Sequence, residues 1–227
     1  MTGPGTNTYL VGQRQLVVID PGPPDQAHVE VVLQALQELE ATAQGVIVTH
    51  PHSDHQGCAE QLAGQLEAPF LRFDQPLRHG SEIEIEDKTL VVHHTPGHTQ
   101  AHICLWLVEQ RLLFAGDLVA GQGSVLIVPP DGDMAAYLDS LRAMMALDPT
   151  AILPGHGPVI EAPQALLQAY LEHRLAREAE VLHWLEQGYR GAQEIAARIY
   201  ADRLEVLPVA TLQVEAHLAK LRKEGRA

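Results

Sequence analysis

The stretch "THPHSDHQG", residues 49–57, places three histidines and one aspartate within six consecutive positions. It follows the apolar run "GVIV" (45–48), which is typical of a short buried strand. Crowded imidazoles and a carboxylate at a strand end are unfavourable unless they are solvated or paired. A metal ion resolves the crowding, because ions such as zinc bind imidazole nitrogen and carboxylate oxygen together. The stretch therefore predicts a metal site at the end of a strand.

The spacing within this stretch suggests two metal ions rather than one. His50 and His52 are two positions apart, so in extended backbone their side chains project to the same side and can share one ion. Asp54 and His55 follow after a turn and can reach a second ion nearby. Two ions with a shared water need about seven or eight ligands. The rest of the chain is therefore expected to supply more.

Three later segments each offer one further ligand directly after a predicted strand. "TPGHT" (95–99) presents His98, "FAGD" (114–117) presents Asp117, and "LPGHGP" (153–158) presents His156. The neighbouring glycines permit unusual backbone angles and close approach of other groups. We therefore expect the ends of several strands to meet at one site.

The hydrophobic pattern along the chain predicts a layered α/β domain followed by helices alone. Strands are expected within residues 7–12, 15–22, 45–50, 83–98, 102–108, 111–119 and 151–158. Helices are expected over residues 28–39, 57–68, 134–147, 164–186, 191–200 and 209–225. Asp131 or Asp133 is the expected N-cap of the third helix. The change of pattern after Pro163 predicts a catalytic domain over residues 1–162 and a small helical module over residues 163–227.

The charge distribution separates the two parts of the chain. The net charge of −14 is carried by residues 1–162, since residues 163–227 hold nine acidic and nine basic side chains. An acidic domain argues against a basic surface for long nucleic acids, although two divalent ions would add four positive charges at the site.

Cys58 and Cys104 are too few for a disulfide framework and are expected to be packing residues, which favours a cytoplasmic protein. No apolar run is long enough to predict a membrane span.

Five segments in order, "VIDPG", "THPHSDH", "TPGHT", "AGD" and "PGHGP", resemble the metallo-β-lactamase superfamily. The resemblance implies an αββα sandwich with two metal ions at one edge, between the sheets. By resemblance His50, His52 and His98 bind the first ion, Asp54, His55 and His156 bind the second, and Asp117 bridges both. Asp20, in "VIDPG", is similar to an aspartate that supports the ligands from behind. Zinc is the metal expected at both positions, and iron or manganese would suit the same ligands.

A closer resemblance spans nearly the whole chain. "GTNTYLVG", "GDLVAGQGS", "PPDGDMAAYLDSL" and "EHRLAREAEVL" resemble the lactamase-beta-2-like group, which carries a C-terminal winged-helix-like module. That resemblance implies a binuclear metal-dependent hydrolase in which a metal-bridging hydroxide, oriented by the catalytic Asp54, attacks the substrate. Its best-known animal member cleaves single-stranded RNA, so phosphodiester cleavage of RNA is the first expectation.

Other functions remain open at this stage. One alternative is hydrolysis of a thioester, lactone or other small-molecule ester, as in glyoxalase II-like relatives. A second is a non-enzymatic metal-binding protein whose helical module docks to a partner. The partner is thus a small molecule or single-stranded RNA, with no membrane involved.

Two patterns in the helical module allow further predictions. Arg174 and Glu178 have the i, i+4 spacing of a surface ion pair, and binding of a substrate anion is the alternative role for this arginine. Four apolar residues lie at helical spacing and predict a stripe that pairs two copies of the chain in a homodimer; they are Leu212, Val214, Leu218 and Leu221.

Overall fold

A computed structural model describes residues 5–227 of the protein as two five-stranded sheets flanked by helices. The strands are β1 (Tyr9–Gly12), β2 (Gln15–Ile19), β3 (Thr42–Ile47), β4 (Phe70–Phe73), β5 (Pro76–Leu77), β6 (Glu82–Ile85), β7 (Lys88–His94), β8 (Ile103–Leu107), β9 (Leu112–Gly116) and β10 (Ala151–Pro154). The first sheet has the order β1-β2-β3-β4-β5, and the second has the order β10-β9-β8-β7-β6. The short strands β4 and β5 were not predicted from the sequence.

Seven helices complete the fold of the described residues. They are α1 (Gln26–Glu38), α2 (Ser53–Gln56), α3 (Ala59–Gln65), α4 (Met134–Ala146), α5 (Pro163–Glu186), α6 (Ala192–Ile199) and α7 (Leu207–Lys223). Asp133 caps α4, because its side chain accepts hydrogen bonds from the backbone N–H groups of Ala135 and Ala136. The single helical turn α2, which carries Asp54 and His55, was not predicted from the sequence, where the helix was expected to begin at residue 57.

The alternation of side chains along β2 explains the layered arrangement. Leu16 and Val18 face one side, where they pack with Val29 of α1 and Leu62 of α3. Val17 and Ile19 face the other side and pack between the two sheets. A strand that is apolar on both faces must be covered on both faces.

The second sheet is covered in the same way. Leu105 faces the first sheet, whereas Cys104 and Leu113 pack against Tyr137 and Leu141 of α4. The four layers are thus helices, sheet, sheet and helices, which confirms the predicted αββα sandwich.

The C-terminal module has its own apolar core between α5, α6 and α7. Over residues 163–227, all of which the structure describes, the regular elements are these three helices and a 3₁₀ turn at Leu204–Val206. Val214, Leu218 and Leu221 are buried in this core, and only Leu212 of the predicted stripe is exposed. The prediction of an apolar stripe available to a second copy was therefore wrong, because the stripe packs inside the chain.

The topology brings the ends of five strands to one edge of the sandwich. β2, β3, β7, β9 and β10 all end there, and each is followed by a loop or short helix that carries a predicted site residue. Among residues 5–227, the structure has no helix with the length and apolar character needed to cross a membrane.

Candidate metal centre

The seven residues predicted as ligands converge at this edge. Three clusters of ligand atoms form there, each with its atoms within 4.8 Å of one another. The clusters are His50, His52 and His98; His50, His55 and Asp117; and Asp54, His55 and His156. The first and third match the two ligand sets that the resemblance implied, and the second shows where Asp117 joins them.

The first cluster is formed by ring nitrogens that face one another. His52 Nδ1 lies 3.0 Å from His50 Nε2 and 3.1 Å from His98 Nε2. His50 is buried and His52 is exposed, so this cluster runs from the protein interior to the open cleft.

The third cluster, of Asp54, His55 and His156, lies beside the first and adds a carboxylate. His55 Nε2 lies 3.2 Å from His156 Nε2, and Asp54 Oδ2 lies 3.4 Å from His156 Nε2. His55 is fully buried, whereas about a third of the Asp54 side chain is exposed. Asp54 is thus the carboxylate of this cluster that faces the cleft.

Asp117 connects the two clusters through its two carboxylate oxygens. Its Oδ2 atom lies 3.5 Å from His98 Nε2 and 4.0 Å from His50 Nε2. Its Oδ1 atom lies 3.5 Å from both His55 Nε2 and His156 Nε2. One oxygen therefore faces each cluster, which is the arrangement that a bridging ligand requires.

The electrostatics of the cluster are those of a cation site. Burial alone would raise the pKa of Asp117, but the neighbouring His55, His98 and His156 hold it well below its ordinary value. Burial would lower the pKa of His55, yet the carboxylates of Asp20 and Asp117 raise it to about 10. Burial and the surrounding imidazoles lower the pKa of His50. The carboxylates that hold a proton on His55 would hold a metal ion in the same way, and that ion would take the proton's place, because divalent metals bind ionised carboxylates and neutral imidazoles.

The second ring nitrogen of three histidines is held by an acceptor behind the cluster. His55 Nδ1 donates to Asp20 Oδ2 at 2.8 Å, His98 Nδ1 donates to the Leu126 carbonyl at 2.7 Å, and His156 Nδ1 donates to the Gly5 carbonyl at 2.9 Å. A proton fixed on Nδ1 leaves Nε2 with a free lone pair. The three Nε2 atoms that face the cluster are therefore the nitrogens left for a metal ion, which on His55 would replace a proton.

Asp20 ties the histidine loop to the first sheet. It lies directly after β2, with φ at 49°, a conformation that aspartate tolerates better than most residues. Its carboxylate accepts hydrogen bonds from the Thr49 backbone N–H and hydroxyl, both at 2.7 Å, as well as from His55. This is the supporting position that the resemblance implied.

His102 is a buried residue of the site that the sequence reasoning missed. Its Nε2 atom accepts a hydrogen bond from the Asp117 backbone N–H at 3.1 Å, and its Nδ1 atom lies 2.8 Å from the Thr95 hydroxyl. Burial lowers the pKa of His102 to about 3, which keeps this ring neutral and able to accept. Its signal was a further histidine shortly after "TPGHT", in "TQAHIC".

The side chains of His55 and Asp117 closely surround one glycine. A Cβ atom on Gly155 would lie 2.6 Å from His55 Cε1 and 2.8 Å from Asp117 Oδ1. Only glycine leaves room for both ligands at this point of the "LPGHGP" loop.

A cleft of about 580 Å³ opens over the exposed side of the two clusters. His52, Asp54 and Asp117 line its floor, and residues of the 120–128 loop form one wall. Arg174 lies behind this wall, where it is 2% exposed. The prediction of a surface pair between Arg174 and Glu178 was wrong, because α5 presents this arginine to the loop and to α7 instead of to water.

Comparison of the chain with known proteins identifies the same superfamily. The family model described as metallo-beta-lactamase superfamily matches residues 1–73 and 66–156. The chain belongs to the metallo-β-lactamase superfamily. It is therefore a metal-dependent hydrolase, of a superfamily whose centres are binuclear, and the non-enzymatic alternative is not supported.

Similar proteins differ in what their names say they do. The beta-lactamase-like protein 2 homolog of Drosophila melanogaster is 32% identical, over 100% of this chain and 85% of the relative. The atrochrysone carboxyl ACP thioesterase of Aspergillus chevalieri is 32% identical, over 81% of this chain and 61% of the relative.

Two solved structures share the fold. A metallo-beta-lactamase family protein from Thermus thermophilus has a TM-score of 0.81 at 22% identity, over 97% of this chain and 89% of that chain. TTHA1623, solved in a di-iron-bound form, has a TM-score of 0.60 at 27% identity, over 71% of this chain and 92% of that chain.

Proposed function

We propose that the protein hydrolyses uncharged acyl thioesters or closely related activated esters, with two metal ions held by the seven residues above. The observation that carries the proposal is the charge of the cleft. In the part of the chain that the structure describes, from Gly5 onward, no lysine or arginine lines the cleft, whereas three aspartates do. Apart from the metal ions, the described lining of such a cleft has no cationic side chain to hold the phosphates of a polyanion, and it accepts neutral substrates.

The shape and lining of the cleft suit an acyl chain. Its wall presents Ala120, Val125, Leu126 and Val128, and a volume of about 580 Å³ lies within the usual range for small-molecule sites. The apolar wall stands directly beside Asp117 and His98, so an acyl group on it would place its carbonyl carbon at the metal clusters. The thioesterase name of the Aspergillus relative supports the same class of substrate.

Cleavage of single-stranded RNA, the first expectation from the sequence, remains the competing function. RNA carries a negative charge on each phosphate, and binding several nucleotides ordinarily requires several lysines or arginines. The described cleft offers none, so only the metal ions would attract the backbone. Resemblance over the whole chain favours RNA, whereas the charge and the apolar wall favour the thioester.

The chain's own residues have separate roles in the proposed reaction. His50, His52 and His98 would hold one ion, Asp54, His55 and His156 the other, and Asp117 both. When bound, the ions supply Lewis acidity, which lowers the pKa of water and neutralises negative charge that develops on the substrate. Zinc is proposed for both sites, and the di-iron form of TTHA1623 makes iron the alternative.

Asp54 is the residue proposed to move a proton. Its Oδ2 atom faces His156, while its exposed side borders the cleft, so the second carboxylate oxygen can accept a hydrogen bond from the attacking water. The same carboxylate can pass that proton to the sulfur of the leaving thiolate. His55 and His156, held from behind by Asp20 and the Gly5 carbonyl, are the fixed ligands beside Asp54.

The test compares two substrates on the zinc-loaded protein. S-hexanoyl-N-acetylcysteamine, an uncharged thioester, is assayed by release of free thiol, and a labelled single-stranded RNA oligonucleotide by gel electrophoresis. We expect thioester hydrolysis that falls by at least about 100-fold in Asp54→Asn, the size of a lost general base. Asp87→Asn, the same change at an exposed turn, should leave the rate unaltered.

The outcomes separate the two functions. Thioester hydrolysis that depends on Asp54, with little RNA cleavage, supports the proposal. RNA cleavage that is lost in Asp54→Asn, with no thioesterase activity, would overturn it in favour of the phosphodiester.

A further inference from the structure

The loop of residues 120–128 forms the wall of the cleft and is held in place by the C-terminal module. It has no regular secondary structure in the described chain, and most of its residues line the cleft. A loop of this kind needs partners for its backbone groups if it is to keep one conformation. Three side chains from α5 and α7 supply those partners.

Tyr170 of α5 holds the first part of the loop. Its hydroxyl accepts a hydrogen bond from the Ala120 backbone N–H at 3.2 Å and donates one to the Gly123 carbonyl at 3.0 Å. The side chain is largely buried, with 8% of the residue exposed. Both contacts are therefore partly shielded from water.

Arg174, one turn further along α5, holds the middle of the loop. Its Nη2 atom donates to the Val125 carbonyl at 2.5 Å and to the Ser124 hydroxyl at 3.1 Å. Its Nη1 atom donates to Gln213 Oε1 of α7 at 2.8 Å. The guanidinium thus joins the loop to both helices, and hydrogen bonds from a charged donor are the stronger kind.

Gln213 of α7 extends the same hydrogen-bond network to Ile127, two residues further along the loop than Val125. Its Nε2 atom donates to the Ile127 carbonyl at 3.1 Å, and its Oε1 atom accepts from Arg174. The residue is 8% exposed, and both the NH₂ group and the oxygen of its side-chain amide form hydrogen bonds. The carbonyls of Val125 and Ile127 are therefore each fixed by a buried side chain of the module.

Leu126 lies between these two fixed residues, and its carbonyl orients a metal ligand. That carbonyl accepts the hydrogen bond from His98 Nδ1 at 2.7 Å. The path from the module to the metal cluster thus has three links: Arg174 and Gln213, the loop backbone at 125–127, and the His98 ring.

We propose that Arg174 and Gln213 are positioning residues for the metal centre, which act on His98 through the Leu126 carbonyl. The helical module is accordingly part of the catalytic apparatus and holds both the cleft wall and one ligand of the first ion. This inference rests on the proposed metal centre, and it concerns only one of its two clusters. His55 and His156 are supported by Asp20 and Gly5, and among residues 5–227 no hydrogen bond joins the module to either of these two groups.

The expected effect follows from this asymmetry. Loss of a hydrogen-bond partner behind a metal-binding histidine typically weakens metal affinity by about 10- to 100-fold. We expect Arg174→Met to weaken the binding of one of two zinc ions by about 10-fold and to leave the other unchanged. Gln213→Glu keeps an acceptor for Arg174 but removes the donor to the Ile127 carbonyl, so it should act in the same direction.

The experiment is a titration of metal-free full-length protein with zinc in the presence of a competing chromophoric chelator. Arg177→Met is the matched control, since Arg177 lies on the same helix but pairs with Glu180 and stacks on Tyr200. Cobalt substitution gives a second readout, because a reoriented His98 changes the visible absorption spectrum of the first ion. Circular dichroism establishes that each variant is folded before it is titrated.

The inference and the proposed function fail in different ways. Fewer than two zinc ions bound by the wild type would refute the metal centre itself. Two ions with unchanged affinities and cobalt spectra in folded Arg174→Met and Gln213→Glu would overturn the positioning role. Equal weakening in Arg177→Met would also overturn it, because the effect would then come from general loosening of the module.

Discussion

Replacing Asp20 by asparagine tests how the chain keeps His55 ready to bind metal. The change is nearly isosteric, and asparagine tolerates the positive φ of this position as well as aspartate does. One side-chain oxygen remains to accept from the Thr49 backbone N–H. The other becomes an NH₂ group, which faces His55 Nδ1 where a carboxylate oxygen had accepted at 2.8 Å.

The expected result follows from the histidine tautomer. An NH₂ group beside Nδ1 favours a lone pair on Nδ1, which moves the ring proton to Nε2, and Nε2 then cannot bind a metal ion. We expect the ion held by Asp54, His55 and His156 to bind about 10- to 100-fold more weakly, which corresponds to about 1.4–2.7 kcal/mol. The first ion should change less, because Asp20 reaches one of its ligands, His50, only through the Thr49 hydroxyl.

The assay is metal content by mass spectrometry after dialysis against a graded series of chelator concentrations. Asp25→Asn is the control, since asparagine is as good a helix N-cap as aspartate and Asp25 caps α1 away from the ligands. Zinc content should fall from two towards one per chain in Asp20→Asn at chelator levels where the control keeps both. Retention of both ions with unaltered affinity would refute the tautomer argument.

Two other residues allow predictions on stability and on the site. His217 is fully buried with neither ring nitrogen hydrogen-bonded, and burial, with Arg174 next, lowers its pKa to about 3. Below pH 6.5 the unfolded chain therefore binds a proton at His217 that the folded chain does not bind, so the free energy of unfolding of the wild type falls as the pH drops. Denaturant titration of the metal-free wild type should show a decrease in this free energy on the order of 2 kcal/mol between pH 7 and 5, beyond any decrease in His217→Leu. An equal pH dependence in both proteins would contradict this. Gly155→Ala should lower zinc affinity without changing the circular dichroism spectrum, because the added Cβ would meet His55 and Asp117. Gly64→Ala is the control, since a Cβ there would lie in open space and should leave zinc affinity unchanged. An unchanged zinc affinity in Gly155→Ala would contradict the close packing around Gly155.

The sequence predicted those parts of the protein that depend on local pattern. Strand and helix positions followed from the spacing of apolar residues, and the seven ligand-type residues followed from their places at strand ends. The structure brings all seven together, and their role as metal ligands stays a prediction until metal is measured. The strands β4 and β5 were missed because "FLRF" is short, half-buried and interrupted by charge, so its pattern gives little signal.

The parts that the sequence did not predict depend on packing between distant segments. His102 acts on the backbone of Asp117, 15 residues away, and no local pattern indicates that contact. Arg174 has the spacing of a surface ion pair, but the fold places a loop some 50 residues earlier over that face of the helix. The apolar residues of α7 satisfied a dimer pattern equally well, and α5 and α6 covered them within the chain.

The most direct test of the two-metal centre is anomalous diffraction at the zinc edge from crystals of the zinc-loaded protein. We predict two peaks, one among His50, His52 and His98 and one among Asp54, His55 and His156, with the Asp117 carboxylate between them. A single peak, or two peaks away from these clusters, would contradict it.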